Sequence, residues 1–469
     1  MSSKIKLNEE QKEAFKIIRK FLNSGADTLV LKGYAGTGKT FLMQIVGKWL
    51  TKRQRQFSLL ASTGRAAAVL RGKTGLETRT VHSELYHFMK VDDNEEDIPE
   101  NAPMEQYGQM TLQFGIRPPD RAEIIYIIDE ASMLSSIVTN DRTIIAFGLN
   151  NLMADLFDVV GLNKLIFVGD PCQLPPIGQT ISPALDLDWL AQHKRTAITF
   201  TLNKIERTDH GNDILVLADL VRKRLQETEW ENFPKIPARN LNNVSLHISD
   251  QELFQMYLAK HKEVGIYGAL AIARTNRTVQ HINRAIRRDL YGTLDLPLQI
   301  NEILLVTQNN YAVPLTNGDF VIVTHIGESR FQANLKFLSV RVKAILSETD
   351  YEILLSVDLL NNSAINFNGA QQKALMIEFS KRMRRSKIKP NSDTYKSELK
   401  KDPFLNCLKA KYGYGVTCHK AQGGEWDHVY LFLDQQMYGM QKPELFRWWY
   451  TAITRTRKQL HLTDKWWIG

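Results

Sequence analysis

The sequence predicts an α/β fold with parallel sheets, because short apolar runs alternate along the chain with segments of helical periodicity. Residues 28–32 and 57–61 are two such runs, and each precedes a segment that can form a helix. Alternation of this kind is typical of parallel strands joined by crossover helices. A length of 469 residues favours two or more domains over one.

The composition is that of a globular protein, with 43% hydrophobic and 24% charged residues. The net charge of +9 and the isoelectric point near 9.2 permit a nucleic-acid partner without establishing one. Cys172, Cys407 and Cys418 lack the spacing of a zinc site or a disulfide framework. The polar N-terminus and the lack of a membrane-length apolar run predict a soluble intracellular protein, in cytoplasm or nucleoid, or in host cytoplasm if viral.

The first predicted element is an amphipathic helix over residues 8–22. Asn8 is suited to the N-cap, and Gln11 stands three residues later, as in a capping box. A sharper alternative is that Gln11 contacts the adenine edge of a bound nucleotide. The pattern alone favours the cap.

Residues 28–40 give the strongest single signal, an apolar run followed by a glycine-rich loop and the start of a helix. The loop matches the pattern G-x-x-x-x-G-K-[ST], and its candidate nucleotide-binding residues are Gly33, Gly36, Thr37, Gly38, Lys39 and Thr40. Glycines let the backbone approach a polyphosphate and turn its N–H groups inward. Lys39 can reach the β- and γ-phosphates, and the Thr40 hydroxyl can bind Mg²⁺. A turn that binds nothing is disfavoured because strand, loop and helix occur together.

Polar residues that fit phosphate chemistry follow two later strands. The apolar run over residues 123–128 ends in Asp129 and Glu130. Asp129 would hold Mg²⁺, usually through water, and Glu130 would polarise the attacking water. Residues 164–168 form another strand, which leads to a proline-rich loop where Gln173 would face the γ-phosphate. A plain turn is the alternative for that loop.

The remaining regions are predicted more coarsely. Residues 91–120 carry an acidic run and several prolines, which indicates an excursion from the sheet with a hairpin strand near residues 111–114. A second α/β unit is expected from residue 198. Residues 294–357 show short β patterns, and residues 371–411 are helical and strongly basic.

Taken in order, these motifs resemble those of a superfamily 1 helicase, specifically the RecD-like and Dda-like 1B group. The matching segments are motif I at residues 33–40, Ia at 61–67, Ib at 80–82, II at 129–133, III at 169–176, IV at 202–207, V at 417–425 and VI at 450–455. A phosphate loop alone is shared by many nucleotide hydrolases. The last two motifs are the most specific, and the match spans most of the chain.

The resemblance implies two RecA-like domains with ATP between them. Arg207 and Arg455 would be arginine fingers, Glu425 would contact the ribose, and Gln11 would contact the adenine as well as cap its helix. The expected layout is domain 1A at residues 1–197, with an inserted 1B hairpin at about 87–120, and domain 2A at residues 198–293 and 406–469. An SH3-like β-barrel, 2B, would occupy residues 294–405.

The resemblance also implies phosphate grips for single-stranded DNA. The grip residues would be Thr63, Thr80 and His82 on the first domain and Thr417 and His419 on the second. The implied function is an ATP-dependent DNA helicase that translocates 5′→3′ and uses Mg²⁺. Single-stranded DNA and its junctions with duplex are the implied partners, with single-strand-binding and replication proteins as further candidates. A monomer without a membrane partner is expected.

Other functions remain open at this point. A nucleic-acid-stimulated translocase could remodel protein–DNA or RNA complexes with little duplex unwinding. A scaffold with a degenerate ATPase is disfavoured because the residues that the chemistry needs are present. A nuclease is disfavoured because the sequence shows no further carboxylate cluster with nuclease-like spacing.

Overall fold

Two parallel sheets, one antiparallel sheet and one small mixed sheet organise the part of the chain that the computed structural model describes. That part comprises residues 7–92, 111–119, 123–138, 145–205, 212–292, 296–310 and 312–469. Among the helices of this part, none is long and apolar enough to cross a membrane.

The strands, in chain order, are β1 (Thr28–Gly33), β2 (Phe57–Ala61), β3 (Arg79–Thr80), β4 (Tyr86–Asp92), β5 (Thr111–Ile116), β6 (Ile125–Asp129), β7 (Ile145–Phe147), β8 (Lys164–Gly169), β9 (Ala197–Leu202), β10 (Val244–His247), β11 (Ala269–Ala273), β12 (Ile303–Val306), β13 (Phe320–Gln332), β14 (Leu335–Ala344), β15 (Asp350–Ser356), β16 (Ala410–Tyr412), β17 (Gly415–Thr417), β18 (Trp426–Phe432) and β19 (Thr456–Thr463). The helices are α1 (Glu9–Phe21), α2 (Lys39–Lys52), α3 (Gly64–Thr74), α4 (Val81–Leu85), α5 (Leu152–Val160), α6 (Leu187–Gln192), α7 (Asp213–Leu225), α8 (Asp250–Gly268), α9 (Asn276–Tyr291), α10 (Val357–Asn361), α11 (Gly369–Arg385), α12 (Asp393–Lys401), α13 (Cys418–Ala421) and α14 (Lys442–Ile453).

The first sheet has the order β3-β2-β6-β8-β1-β9, and all its strands are parallel. Its central strands are buried on both faces, which explains why their sequences are continuous apolar runs. The predicted start of a second unit at residue 198 is wrong. Strand β9 pairs with β1 in the first sheet, so the second unit begins after it.

The second sheet has the order β10-β19-β18-β11-β17 and is also parallel. Its core contains large aromatic side chains from β18 and α14, including Trp426, Trp448 and Trp449. Helix α14 ends at Ile453, so Arg455 lies in the short link between that helix and β19. Two parallel sheets with helices around them confirm the predicted α/β class.

The antiparallel sheet has the order β15-β14-β13-β12-β16. Strand β16, at residues 410–412, pairs with β12, so the expected return to the second unit at residue 406 is also wrong. The predicted basic helical region forms as α11 and α12, but the helical structure ends at Lys401. Helix α12 ends there because Asp402 precedes Pro403, and a residue before proline disfavours the helical conformation.

The small sheet has the order β4-β5-β7 and lies in the predicted excursion. Strands β4 and β5 are antiparallel, as a hairpin requires, whereas β7 adds a parallel strand from residues 145–147, outside the predicted bounds. Most of the acidic run, at residues 93–97, lies outside the described residues.

Three histidines form a row across the parallel strands β10, β19 and β18. His461 Nδ1 lies 3.2 Å from His247 Nε2, and His461 Nε2 lies 3.4 Å from His428 Nδ1. The Tyr430 ring stacks on His461 at a centroid distance of 4.0 Å. Burial, with smaller contributions from the two neighbouring imidazoles, lowers the pKa of His461 to about 3. His461 is therefore neutral in the folded protein over the usual pH range.

We expect this row to make the protein less stable in acid. An unfolded histidine has a pKa of about 6.5, so below that pH His461 binds a proton in the unfolded chain but not in the folded protein. The penalty is absent above about pH 6.5 and grows as the pH falls towards 3, reaching ~2 kcal/mol at pH 5. This penalty is measured by denaturant unfolding of the wild type and of His461→Gln, each at pH 7.5 and at pH 5.

The substitution should reduce the loss of stability between the two pH values by about that amount. His193→Gln is the matched control, because His193 is exposed and lies between α6 and β9 of the first unit. Equal pH dependence in His461→Gln and the wild type would contradict the assignment.

Candidate nucleotide site and strand-binding edge

The phosphate loop joins β1 to α2 in the geometry that its sequence predicts. Gly36 and Gly38 have φ angles of 82° and 79°, a region that glycine enters without steric cost. Helix α2 begins at Lys39, whose Nζ donates to the carbonyl oxygens of Gly33 at 2.6 Å and Tyr34 at 3.1 Å. The N–H groups and the dipole of α2 therefore face the loop, as an anion site requires. Thr40, the second residue of α2, lies beside Lys39.

Gln11 performs the predicted capping role and also contacts the phosphate loop. Its backbone N–H donates to Asn8 Oδ1 at 2.7 Å, and its Oε1 accepts from the Asn8 N–H at 3.1 Å. Its Nε2 donates to the carbonyl of Thr37 at 3.1 Å. A Cβ on Gly38 would lie 2.4 Å from Nε2, so a larger residue there would displace the Gln11 amide. The capping box is confirmed, and α1 is held against the loop.

Three carboxylates lie at the carboxyl ends of β6 and β8, of which Asp129 and Asp170 are buried and Glu130 is half-buried. Asp129 ends β6, Glu130 follows it at a φ of 51°, and Asp170 follows β8. Burial raises the pKa of all three groups, and the charge of Asp129 raises the pKa of Glu130 further. A positive φ at a non-glycine residue is uncommon and is often found at functional sites. This edge therefore concentrates negative charge in a low-dielectric environment.

Two cations from different sheets offset that charge. Lys39 lowers the pKa of each of the three carboxyls against the larger effect of burial, and Arg455 does so for Glu130 and Asp170. Arg455 is 5% exposed, and its guanidinium donates to the carbonyls of Thr451 at 3.0 Å and Gly424 at 3.2 Å. The structure thus brings Arg455 to the site. The predicted second finger, Arg207, lies outside the described residues.

Helix α14 is hydrogen-bonded directly to the loops of the first sheet. The Tyr450 hydroxyl accepts from the Ala35 N–H at 2.9 Å and donates to Asp170 Oδ2 at 2.8 Å. At the next residue, Thr451 Oγ1 accepts from the Leu174 N–H at 2.9 Å. The phosphate loop and the loop after β8 are therefore both tied to the helix that precedes Arg455.

The site contains a donor set that fits a nucleotide and a divalent cation. Gln173 is 3% exposed, and its Oε1 has no hydrogen-bond partner among the described residues. Carboxylate and hydroxyl oxygens, such as those of Asp129 and Thr40, are the ligands that Mg²⁺ prefers. Glu425 Oε2 lies 3.4 Å from Lys73 Nζ, so this residue of the second unit reaches α3 of the first.

The predicted strand grips lie where strands end, and most of them are electrically neutral. The hydroxyls of Thr63 and Thr80 cap α3 and α4, accepting from N–H groups at 3.2 and 3.1 Å. Thr417 precedes α13 without a side-chain capping bond. Burial lowers the pKa of His82 and of His419, and the charge of Lys420 adds to the effect at His419. His82 lies 6.1 Å from the Phe147 ring and 5.8 Å from the Tyr86 ring.

Sequence reasoning missed a junction between the two units and the antiparallel sheet. Arg65 of α3 is 7% exposed and lies over the rings of Trp426 at 4.4 Å and Phe320 at 4.9 Å. Burial lowers its pKa to about 10, and its Nε has no hydrogen-bond partner among the described residues. A Cβ on Gly64 would overlap Thr316 Oγ1, at 1.4 Å. The partners of Arg65 are hundreds of residues away in the sequence, so local patterns could not predict this junction. The only sequence signal for it was the presence of a basic residue, Arg65, in motif Ia.

Two family models match the chain. An AAA domain matches residues 6–229, and a UvrD-like helicase C-terminal domain matches residues 412–463. The first match covers the whole of the first parallel sheet and the small mixed sheet, and the second covers strands β17, β18 and β19 of the second parallel sheet.

Full-length relatives are distant. The uncharacterized protein R530 of Acanthamoeba polyphaga mimivirus is 20% identical over 97% of this chain and 99% of its own length. The ATP-dependent DNA helicase dda of Enterobacteria phage T4 is 23% identical over 91% of this chain and 92% of its own. The RecBCD enzyme subunit RecD of Buchnera aphidicola is 22% identical over 72% of this chain, which spans about half (53%) of that relative.

Solved structures share the fold. Bacteroides Pif1 bound to single-stranded DNA is 14% identical, with a TM-score of 0.51 over 98% of this chain and 93% of that one. A structure of two Pif1 helicases at forked duplex DNA gives a TM-score of 0.50 at 14% identity, with the same coverage. At such identities the likeness concerns the fold.

We expect Tyr450→Phe to weaken the link between the two sheets. The change leaves the Ala35 N–H and the buried Asp170 carboxylate each without one partner, which should cost about 1–3 kcal/mol of the free energy of unfolding. ATP turnover should fall as well, because the phosphate loop loses its bond to α14. Denaturant unfolding and steady-state hydrolysis measure the two effects.

Tyr438→Phe is the matched control, because it removes a hydroxyl that donates to the Trp466 carbonyl at 3.3 Å, away from the site. Similar losses in both variants would argue against a special role for Tyr450.

Proposed function

We propose that the chain is a superfamily 1B helicase of the RecD/Dda/Pif1-like group, and that it hydrolyses ATP to translocate 5′→3′ on single-stranded DNA and to unwind duplexes. The observation that carries this proposal is the two-sided nucleotide site. Lys39 of the first unit and Arg455 of the second both lower the pKa of the carboxyls of Glu130 and Asp170, and the Tyr450 hydroxyl joins the phosphate loop to Asp170 by two hydrogen bonds. The 5′→3′ direction rests on the family alone.

Each predicted residue has a role that its position supports. Lys39 and the loop N–H groups bind the β- and γ-phosphates. Glu130 accepts a proton from the attacking water, and burial, which raises its pKa, makes it a stronger base. Gln173 orients that water through its unpaired Oε1. Mg²⁺, held by Thr40 and Asp129, would neutralise charge on the phosphates.

The remaining nucleotide contacts come from both units. Gln11 contacts the adenine from α1, where its amide already lies against Gly38. Glu425 contacts the ribose, and its position beside Lys73 places it at the boundary between the units. Arg455 stabilises charge that develops on the transferring phosphoryl group, and Arg207 would supply a second guanidinium.

Hydrolysis would become movement because the site is complete only when the two units are together. Arg455 enters from the second unit, so loss of the γ-phosphate removes a charge that attracts its guanidinium towards the first. Thr63 and Thr80 lie on one unit, and Thr417 and His419 on the other. A change in their separation shifts one set of phosphate grips along the strand. Contacts of this kind are independent of base sequence.

The direct test is unwinding of partial duplexes that carry either a 5′ or a 3′ single-stranded tail, with and without ATP. We expect the wild type to unwind only the 5′-tailed substrate, and only with ATP. Glu130→Gln should lower ATP turnover by about 10²- to 10⁴-fold through loss of the general base, and should abolish unwinding.

Binding of single-stranded DNA by Glu130→Gln, measured by fluorescence anisotropy, is the control and should be retained. Unchanged turnover in that variant would refute the assigned chemistry. Turnover stimulated by DNA without unwinding would favour a translocase that remodels complexes.

Substitutions on the two sides of the motor should separate chemistry from strand binding. Arg455→Ala should lower kcat for ATP more than it raises KM, because the contact strengthens in the transition state. His82→Ala should instead weaken the affinity for single-stranded DNA, with little effect on turnover at saturating DNA. Steady-state kinetics and anisotropy with an oligothymidine measure both. Equal losses of turnover in the two variants, without a change in DNA affinity, would contradict this division.

A further inference from the structure

Helices α11 and α12 form a basic hairpin, residues 369–401, that no proposed role yet uses. It contains ten Lys or Arg residues and three Asp or Glu residues, a net charge of +7 against +9 for the whole chain. Most of the excess positive charge of the protein therefore lies in 33 residues. Its exposed cationic residues are Arg385, Lys387, Lys389, Lys400 and Lys401.

The basic hairpin is held in place by its own small core. Buried side chains of α11, among them Phe379 and Met383, pack with Tyr395 and Leu399 of α12. The Ser380 and Tyr395 hydroxyls lie 3.1 Å apart, and an ion pair joins Arg382 to Asp402 beyond α12. The exposed cations thus stand on a packed scaffold, which reduces the entropy lost on binding.

Strand β13 connects the basic hairpin to the junction around Arg65, which is two residues from the predicted grip Thr63. Strand β13 begins at Phe320, beside Arg65, and ends at Gln332, whose Nε2 donates to Glu378 of α11 at 3.2 Å. The strand has 13 residues, and an extended strand of that length spans up to about 40 Å. Two irregularities in its pairing with β14 shorten that reach. The contact between Gln332 and Glu378 therefore lies at the opposite end of β13 from Arg65.

The chemistry of the basic hairpin favours a duplex over a single strand. Proteins that hold single strands combine positive charge with aromatic side chains on which bases stack. Within residues 369–401, all of which the structure describes, Phe379 and Tyr395 are buried and no aromatic ring is exposed. Exposed lysines form ion pairs with phosphate oxygens. Duplex DNA presents phosphates at twice the linear density of a single strand.

We propose that the basic hairpin binds the phosphate backbone of duplex DNA, as the duplex arm of a fork. The proposal rests on DNA being the substrate of the proposed function. It adds a second contact that is separate from the path of the single strand and from the nucleotide site.

The test removes four charges from the basic hairpin. The variant Lys387→Gln/Lys389→Gln/Lys400→Gln/Lys401→Gln is compared with Lys20→Gln/Lys48→Gln/Lys52→Gln/Lys194→Gln, which removes four exposed lysines of the first unit. Lys387 and Lys194 both have positive φ angles, 58° and 61°, so the backbone strain is matched. Affinity is measured without ATP, for a blunt duplex of about 24 base pairs and for an oligothymidine of about 15 residues, over a range of salt concentrations.

We expect the hairpin variant to bind the duplex about tenfold or more weakly. The slope of the logarithm of the binding constant against the logarithm of the salt concentration should fall in magnitude by roughly one for each phosphate that the variant no longer neutralises. Its affinity for oligothymidine and its DNA-stimulated ATP turnover should equal those of the wild type. The control variant should keep its duplex affinity.

Equal weakening for duplex and oligothymidine, equal weakening in the control variant, or unchanged duplex affinity would each overturn the proposal. Because binding is measured without ATP, a failure of unwinding remains a separate result that bears on the proposed function.

Discussion

Three neighbouring carboxylates, two of them buried and one half-buried, are the constraint on which the structure depends. Asp129, Glu130 and Asp170 lose hydration on burial, and each has a raised pKa, to which repulsion from its neighbours adds at Glu130. Unpaired buried charges are costly, and proteins balance them with cations or protonate them. Here the balancing cations are Lys39 and Arg455, which come from two different sheets. The cleft is therefore electrostatically incomplete in either unit alone.

This dependence explains why the contacts between the units concentrate near the carboxylates. The Tyr450 hydroxyl is hydrogen-bonded to both the phosphate loop and Asp170, so a movement of α14 would displace both of them. Arg65 links the first unit to the antiparallel sheet as well as to the second unit, because its guanidinium lies over the rings of both Phe320 and Trp426. Cation–π contacts contribute up to about 2 kcal/mol when desolvated, and they tolerate sliding better than a directed hydrogen bond does. A junction of that kind can hold three parts together while they shift.

Local chemistry was predictable from sequence, whereas pairing between distant segments was not. The capping box of Asn8 and Gln11, strand β2 and the phosphate loop each depend on residues close together in the chain, and the structure confirms them. Strand β9 was assigned to the wrong unit because its pattern is that of any strand, and only its pairing with β1 decides the sheet. Arg65 was missed for a related reason: an arginine after Gly64 is typical of a solvent-exposed helix start, and its burial depends on aromatic rings contributed by other sheets.

In the proposed motor, the predicted grips and the basic hairpin would divide the work of holding DNA between neutral and cationic side chains. A grip that releases the strand in every cycle must bind weakly, and neutral hydroxyls with histidines of lowered pKa satisfy that need. Weak grips alone would let the enzyme dissociate whenever both sets open together. A distant cationic surface that takes no part in the cycle raises the effective concentration of the DNA at the grips. Phosphate contacts are not base-specific and exchange rapidly. In the proposed motor, such a surface would hold the duplex arm of a fork while the enzyme advances along the single strand.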